Sequence, residues 1–135
     1  MKTLQTALTI LIADDDTEAR EALATILTRK YPQAVIYSAG DGRAALDYFR
    51  KYQPDIVITD VIMPGMDGVN MAREIRAMKV ATKLIMFTGL SDLADFDAAA
   101  MAEIRIDHSI LKPIDFRDLF AAIDQCIAAI DTAPA

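Results

Sequence analysis

Residues 55–68, Asp-Ile-Val-Ile-Thr-Asp-Val-Ile-Met-Pro-Gly-Met-Asp-Gly, decide how this chain is read. Ile56, Val57 and Ile58 have the length and β-branching of a buried parallel strand, bounded by Pro54 before and Pro64-Gly65 after. Asp60 therefore stands where the strand ends. In an open parallel α/β sheet the loops leaving the strands' carboxyl ends form the ligand crevice, so a carboxylate there is a candidate ligand or nucleophile. Alone, such an Asp would be a turn former or a helix cap. The residues that end the other strands decide between these readings.

Before the central stretch, Leu8 to Ala13 (LTILIA) is a short apolar run that ends in Asp14, Asp15 and Asp16. It reads as a buried first strand. Thr17 opens a helical stretch to about Lys30, with Ala19, Leu23, Ile26 and Leu27 on one face, and Tyr31-Pro32 stops it. Val35 to Ala39 is a second strand, and Gly40-Asp41-Gly42 turns into a second helix carrying Ala45, Leu46 and Phe49.

After the central stretch, a helix from about Gly68 shows Val69, Ala72, Ile75 and Met78 at helical spacing. Lys83 to Phe87 is a fourth strand ending in Thr88-Gly89. Ser91-Asp92 caps an alanine-rich fourth helix that runs through Ala98, Ala99, Ala100 and Ala102. The run Ile104 to Leu111 (IRIDHSIL) interrupts its apolar residues with polar ones, as expected of a fifth strand near a sheet edge, and Lys112-Pro113 closes it. Asp115 caps the last helix, where Phe116, Phe120, Ile123, Ile127 and Ile130 draw an apolar stripe. Five strands alternating with five helices predict a single doubly wound α/β domain with parallel strands over residues 1–130. The strand order 2-1-3-4-5 is the flavodoxin-like case, which alternation by itself does not fix. Residues 131–135 have nothing to bury and are expected to fray.

Composition narrows the function classes. At 135 residues with 53% hydrophobic content, the chain can bury one good core. No apolar run approaches the roughly 18 residues of a membrane span, and the sequence predicts a cytoplasmic protein that does not bind membranes. Cys126, the one cysteine, falls on the inner side of a helical pattern and is expected to be a buried structural thiol. A net charge of -6 without a Lys/Arg cluster argues against direct nucleic-acid binding.

The strand ends bring chemistry together. Asp14, Asp15 and Asp16 follow the first strand, Asp60 the third, Thr88 the fourth and Lys112 the fifth, all on one edge of a parallel sheet. Carboxylates crowded there repel one another unless a counter-charge intervenes. Oxygen ligands with no His or Cys among them suit Mg²⁺, which uses one or two carboxylates and keeps positions for water and a phosphoryl oxygen. Lys112 adds a point charge for a phosphate oxygen and Thr88 a hydroxyl donor. Together they describe phosphoryl transfer to or through an Asp.

These residues resemble the receiver domains of bacterial two-component response regulators. The resemblance runs from Ile10 to Ile130 and rests on ILIADDD, SAGDGRAAL, DIVITDVIMPGMDG, MFTG and LKP in that order. It implies that Asp60 accepts the phosphoryl group. It also implies that Asp14 and Asp15 organise Mg²⁺ together with Asp60 and the backbone carbonyl of Ile62, that Thr88 is the switch hydroxyl, and that Lys112 binds the phosphoryl group. The Lys112-Pro113 bond would be cis. The implied donor is a histidine kinase or histidine phosphotransfer protein, and the implied output is contact with a downstream protein, with a homodimer as a further option. Such a domain is a switch rather than a turnover enzyme.

Receivers usually carry Tyr or Phe three residues before the lysine and Gly-Ala ahead of that strand. Here Ser109 and Arg105-Ile106 stand in those places, which leaves the phosphorylation chemistry intact and removes the usual aromatic switch. Two other readings stay open on the residues alone. Asp14 and Asp16, with Thr88 and Lys112, have the separation of a haloacid dehalogenase-type aspartate phosphatase, although that leaves Asp60 unexplained. A degenerate receiver would only bind a partner. Nothing that reads as an effector domain follows Ile130, so the expectation is a stand-alone receiver or one cut from a longer regulator.

Overall fold

The computed structural model describes residues 7–63, 65–79, 81–89 and 102–132. Five strands pair in parallel in the order β2-β1-β3-β4-β5. They are β1 Thr9–Ala13, β2 Val35–Ala39, β3 Ile56–Asp60, β4 Lys83–Thr88 and β5 His108–Leu111. Between them run α1 Thr17–Lys30, α2 Gly42–Tyr52, α3 Gly68–Met78, α4 over 102–104, and finally α5 Phe116–Thr132. β3 is central and buried along its whole length, which is why Ile56, Val57 and Ile58 follow one another with no polar residue between them.

Successive strand residues point to opposite faces, and this splits the core in two. Leu11, Val57, Leu84 and Met86 pack with α2 and α3 through Phe49, Met71 and Ile75. Ile10, Ile12, Ile58, Ile85 and Phe87 pack with α1 and α5 through Leu27, Leu119 and Ile123. This is the doubly wound arrangement that the alternation of elements predicts.

Four of the helices that follow strands, α1, α2, α3 and α5, start on an aspartate. The side chains of Asp16, Asp41 and Asp67 accept from the backbone N–H of Ala19 (3.2 Å), Ala44 (2.8 Å) and Asn70 (2.8 Å). Each satisfies a donor that the first helical turn would leave open, worth about 1 kcal/mol. Asp115 does the same for α5, accepting from Arg117 N–H at 2.9 Å.

Several expected details change. Ile104 belongs to a helix rather than to the fifth strand, and β5 begins only at His108. The physical reason is Arg105, whose φ of 54° reverses the chain, together with Arg76, which collects the carbonyls exposed there. Arg76 Nε donates to Ile104 O (2.9 Å), Nη2 to Arg105 O (2.6 Å) and to Asp107 Oδ2 (3.2 Å), and Nη1 to Thr82 O. In α3 Ala72 and Ile75 are buried as expected, Met71 joins them, and Met78 is exposed. In α1 Leu23 and Leu27 are buried whereas Ala19 is exposed. In α5 the buried line is Leu119, Ala122, Ile123 and Cys126, with Phe116 exposed and Phe120, Ile127 and Ile130 along its margin. The Ser91-Asp92 cap and the alanines 98–100 lie outside the described residues, as do residues 133–135.

Arg76 is 9% exposed, so its carbonyl acceptors have no water to replace it. Arg76→Met is expected to destabilise the fold by about 3 kcal/mol, as a lowered urea midpoint at unchanged slope. Asp107→Asn, which leaves the carbonyl bonds in place, should cost less than half of that. Equal losses would show that the carbonyl bonds contribute nothing.

Candidate functional site

The β1–α1 turn delivers the first two acids. Asp14 continues β1, its N–H donating to Ala39 O at 3.1 Å. Its Oδ1 accepts from Asp16 N–H at 2.9 Å, which turns the carboxylate into the sheet edge. Asp16 itself is taken up as the α1 cap. From one turn further along α1, Arg20 Nη1 donates to Asp14 O at 2.7 Å and pins the turn. Sequence reading missed Arg20, since its partner is a backbone oxygen and carries no residue signature.

β3 ends on Asp60, in register with Phe87 of β4. Thr59 Oγ1 donates to Asp60 O at 2.9 Å, and Gly68, the first residue of α3, lies directly beneath that carbonyl. A Cβ on Gly68 would stand 2.0 Å from Asp60 O, so only glycine lets α3 start this close to the strand. Gly68 was read from sequence only as a helix start.

Asp14, Asp15 and Asp60 each offer a carboxylate oxygen, and these oxygens lie within 4.8 Å of one another. Lys112, which follows β5, places Nζ 2.7 Å from Asp60 Oδ1. Asp60 is buried. Burial pushes its pKa up to about 6 from an ordinary 3.8, the Lys112 hydrogen bond pulls it back, and the Asp14 charge raises it further. A buried carboxylate crowded by two others is a poor resting state for an isolated anion. An oxygen-only donor set of this spacing fits a hard divalent ion.

A cleft of about 620 Å³ opens beside these groups, between α1 and the segment after β5. Asp14, Asp15, Asp60 and Lys112 line its polar end, and Ile62, 57% exposed, stands at its rim. Thr88 ends β4, in register with Leu111 of β5 and buried, but does not line the cleft. It falls on the strand parity of Met86, whose side chain packs on the α3 face, whereas the cleft lies on the α1 face. The Lys112-Pro113 peptide is cis. Met63 and Met66 pack on the core as loop residues. Cys126 is buried, and burial pushes its thiol up to about 12.

A model of the response regulator receiver domain family matches residues 10–124. The chain belongs to that family. It is a receiver domain of the two-component response regulator type, a phosphoacceptor signalling fold. Among curated relatives, the DNA-binding response regulator MtrA of Mycobacterium leprae is 33% identical over 127 residues, covering 93% of this chain and 54% of that protein. The probable transcriptional regulator ycf27 of Guillardia theta is 35% identical over 120 residues, 89% of this chain and 45% of its own. The receiver domain thus spans about half the length of the curated relatives it matches. Among solved structures, response regulator protein TrrA from Thermotoga maritima, in complex with Mg(2+)-BeF, is 30% identical at a TM-score of 0.75, over 88% of this chain and 98% of that one. No helix among the described residues of the receiver domain is long and apolar enough to cross a membrane.

Proposed function

We propose that Asp60 is the phosphoacceptor of this receiver domain and that Asp14, Asp15 and Lys112 serve it directly. The observation that carries the reading is the placement of Asp60. Its carboxylate is buried at the carboxyl end of the central strand, 2.7 Å from the Lys112 ammonium and within 4.8 Å of two further carboxylates. No other acid among the described residues combines these.

In the reaction, an oxygen of Asp60 attacks the phosphorus of a phosphohistidine on a histidine kinase or histidine phosphotransfer protein. The O–P bond forms as the N–P bond breaks, and the electron pair stays on the imidazole nitrogen. Lys112 Nζ, already at the carboxylate, supplies positive charge to a phosphoryl oxygen. The Thr88 hydroxyl, one strand over, is the donor that turns toward the phosphoryl group once it is present. Asp14, Asp15 and Asp60, with the backbone carbonyl of Ile62, would hold Mg²⁺, which supplies charge neutralisation when bound. Catalysis is then positioning and electrostatics, and the phosphoryl group stays on Asp60 as the signal, so the domain acts as a switch and not as a turnover enzyme. With Ser109 exposed on β5 where such domains usually carry an aromatic ring, the output runs through contacts of the β4–α5 side without that ring as its gate. The receiver domain is residues 1–130, and its place is the cytoplasm.

The test is intact mass after incubation with acetyl phosphate. The expected result is a gain of one phosphoryl group that requires Mg²⁺ and is lost in Asp60→Asn. A gain that survives Asp60→Asn would move the chemistry to Asp14 and to a phosphatase-type reading. No gain in folded protein that binds Mg²⁺ would leave a partner-binding module.

A further inference from the structure

β2 is an outer strand of the sheet, and its sequence, VIYSA over Val35–Ala39, holds no charge. Outer strands are normally guarded by a charged residue, a proline or a bulge, because their unpaired backbone groups invite another strand. β2 has none of these. Its register with β1 runs unbroken from Thr9↔Val35 to Ala13↔Ala39, and Val35 is 40% exposed. The other outer strand, β5, is shorter and opens on His108.

The hydrogen bonds say which groups of β2 face outward. Val35 N–H donates to Leu8 O at 2.8 Å, and Asp14 N–H donates to Ala39 O at 3.1 Å. Val35, Tyr37 and Ala39 therefore bond toward β1. By alternation, the N–H and C=O groups of Ile36 and Ser38 point away from the sheet. Above the same edge lies an aromatic cluster. Tyr37 stacks on Tyr52 at 4.3 Å and meets Tyr48 at 5.8 Å, while Tyr48 and Tyr52 stack at 5.9 Å. Tyr48 and Tyr52 remain exposed, so three of the four tyrosines of the chain sit at this edge.

We propose that the β2 edge is where a second copy of this chain docks, antiparallel, about a two-fold axis through Tyr37, joining two five-stranded sheets into one. Identical surfaces pair about a two-fold axis only if they are self-complementary, and this edge is. With the axis at Tyr37, Ile36 lies opposite Ser38 of the second copy. Both present outward groups, so each such pair exchanges two hydrogen bonds and the joined edge gains four. The two Tyr37 residues form the close, non-hydrogen-bonded pair between them. Val35 then faces Ala39, and Gln33 faces Asp41, so no like charges meet along the strand. Slipping the pairing by one residue, which would put the axis between two residues, would set outward groups against inward ones and lose the bonds.

Charge argues for the occupant. A chain of net charge -6 repels its own copies wherever acids face acids. The uncharged strip is where two copies can approach, and it offers a strongly charged partner nothing. Tyr37 and Tyr37 of the second copy point to one face of the joined sheet, so the two tyrosine clusters meet there and exclude water from the new ladder.

Cross-linking tests the register, and mass tests the association. In the full chain, Tyr37→Cys places two thiols at a non-hydrogen-bonded pair, where Cα atoms lie about 4.5 Å apart and a disulfide fits. Val35→Cys places them roughly 13 Å apart, four residues out of register. Buried Cys126 does not compete. The expected result is a covalent dimer on oxidation of Tyr37→Cys and none for Val35→Cys. Sedimentation equilibrium of the unmodified chain should show a dimer at tens of micromolar. Exposed Ser38→Lys should weaken it at least tenfold with an unchanged thermal midpoint. A monomer at every concentration up to about 500 µM would overturn the proposal and leave the edge to a different partner. So would a dimer indifferent to Ser38→Lys, or equal cross-linking at positions 35 and 37.

Discussion

Asp60→Asn is expected to make the metal-free protein more stable at pH 7.5, by about 2 kcal/mol, which corresponds to a rise in thermal midpoint of roughly 6–10 °C. Burial and the Asp14 charge hold the Asp60 pKa near 6 in the folded state, against an ordinary 3.8. The folded chain therefore binds a proton that the unfolded chain has released between about pH 4 and pH 6. Stability from this group is present in full below about pH 4 and is lost as the pH rises through 6. Asn keeps the shape and removes the charge. Lys112, 44% exposed, is rehydrated when its partner is neutral. Differential scanning calorimetry from pH 4 to 8 should show the gap between the two proteins opening across that window. Millimolar Mg²⁺ should then narrow it by stabilising the natural protein more than the variant. A variant less stable than the natural protein at pH 7.5, or a gap constant with pH, would mean that Lys112 already neutralises the site.

Gly68→Ala carries the second large effect. The added Cβ would stand 2.0 Å from Asp60 O and 3.0 Å from Asp60 C, against backbone that has no rotamer to change. Relief requires α3 to withdraw by about 1 Å from the end of β3, against the packing of Met71, Ala72 and Ile75. The expected loss is about 3 kcal/mol, read from urea unfolding. The rate of phosphorylation by acetyl phosphate should fall by about 100-fold in the fraction that stays folded, because the carboxylate moves relative to Lys112 and the acid pair. Gly65→Ala is the contrast. Gly65 has a φ of 81° but open space around it, so the cost is about 1 kcal/mol of backbone strain with the chemistry unchanged. Equal phosphorylation rates for the two variants would separate the α3 contact from the site.

Local order carried much of the fold into the sequence. β3 was legible because a strand buried on both faces carries consecutive apolar residues, here Ile56, Val57 and Ile58, and α2 because Ala45, Leu46 and Phe49 are all core residues. The end of α4 was not legible. Ile104 looks the same to a periodicity argument whether it closes a helix or opens a strand. What decides is Arg76, 28 residues away, taking its carbonyl. The stripe of α5 was drawn through the large side chains, whereas packing buries Leu119, Ala122 and Cys126 and leaves Phe116 at the mouth of the cleft. Size is visible in a sequence, and direction around the helix is set by what the sheet offers.

The sequence by itself determined the alternation of strands and helices, the acids and the lysine that end the strands, and the family resemblance they carry. Each is a property of residue type and spacing along the chain. Only the tertiary structure decided that Asp60 is buried with Lys112 at 2.7 Å, that Thr88 is buried without lining the cleft, and that Gly68 must be glycine. It also decided that β2 ends the sheet on an uncharged edge. Those facts depend on distances between residues far apart in sequence, and such distances exist only once the strands have taken their order and register.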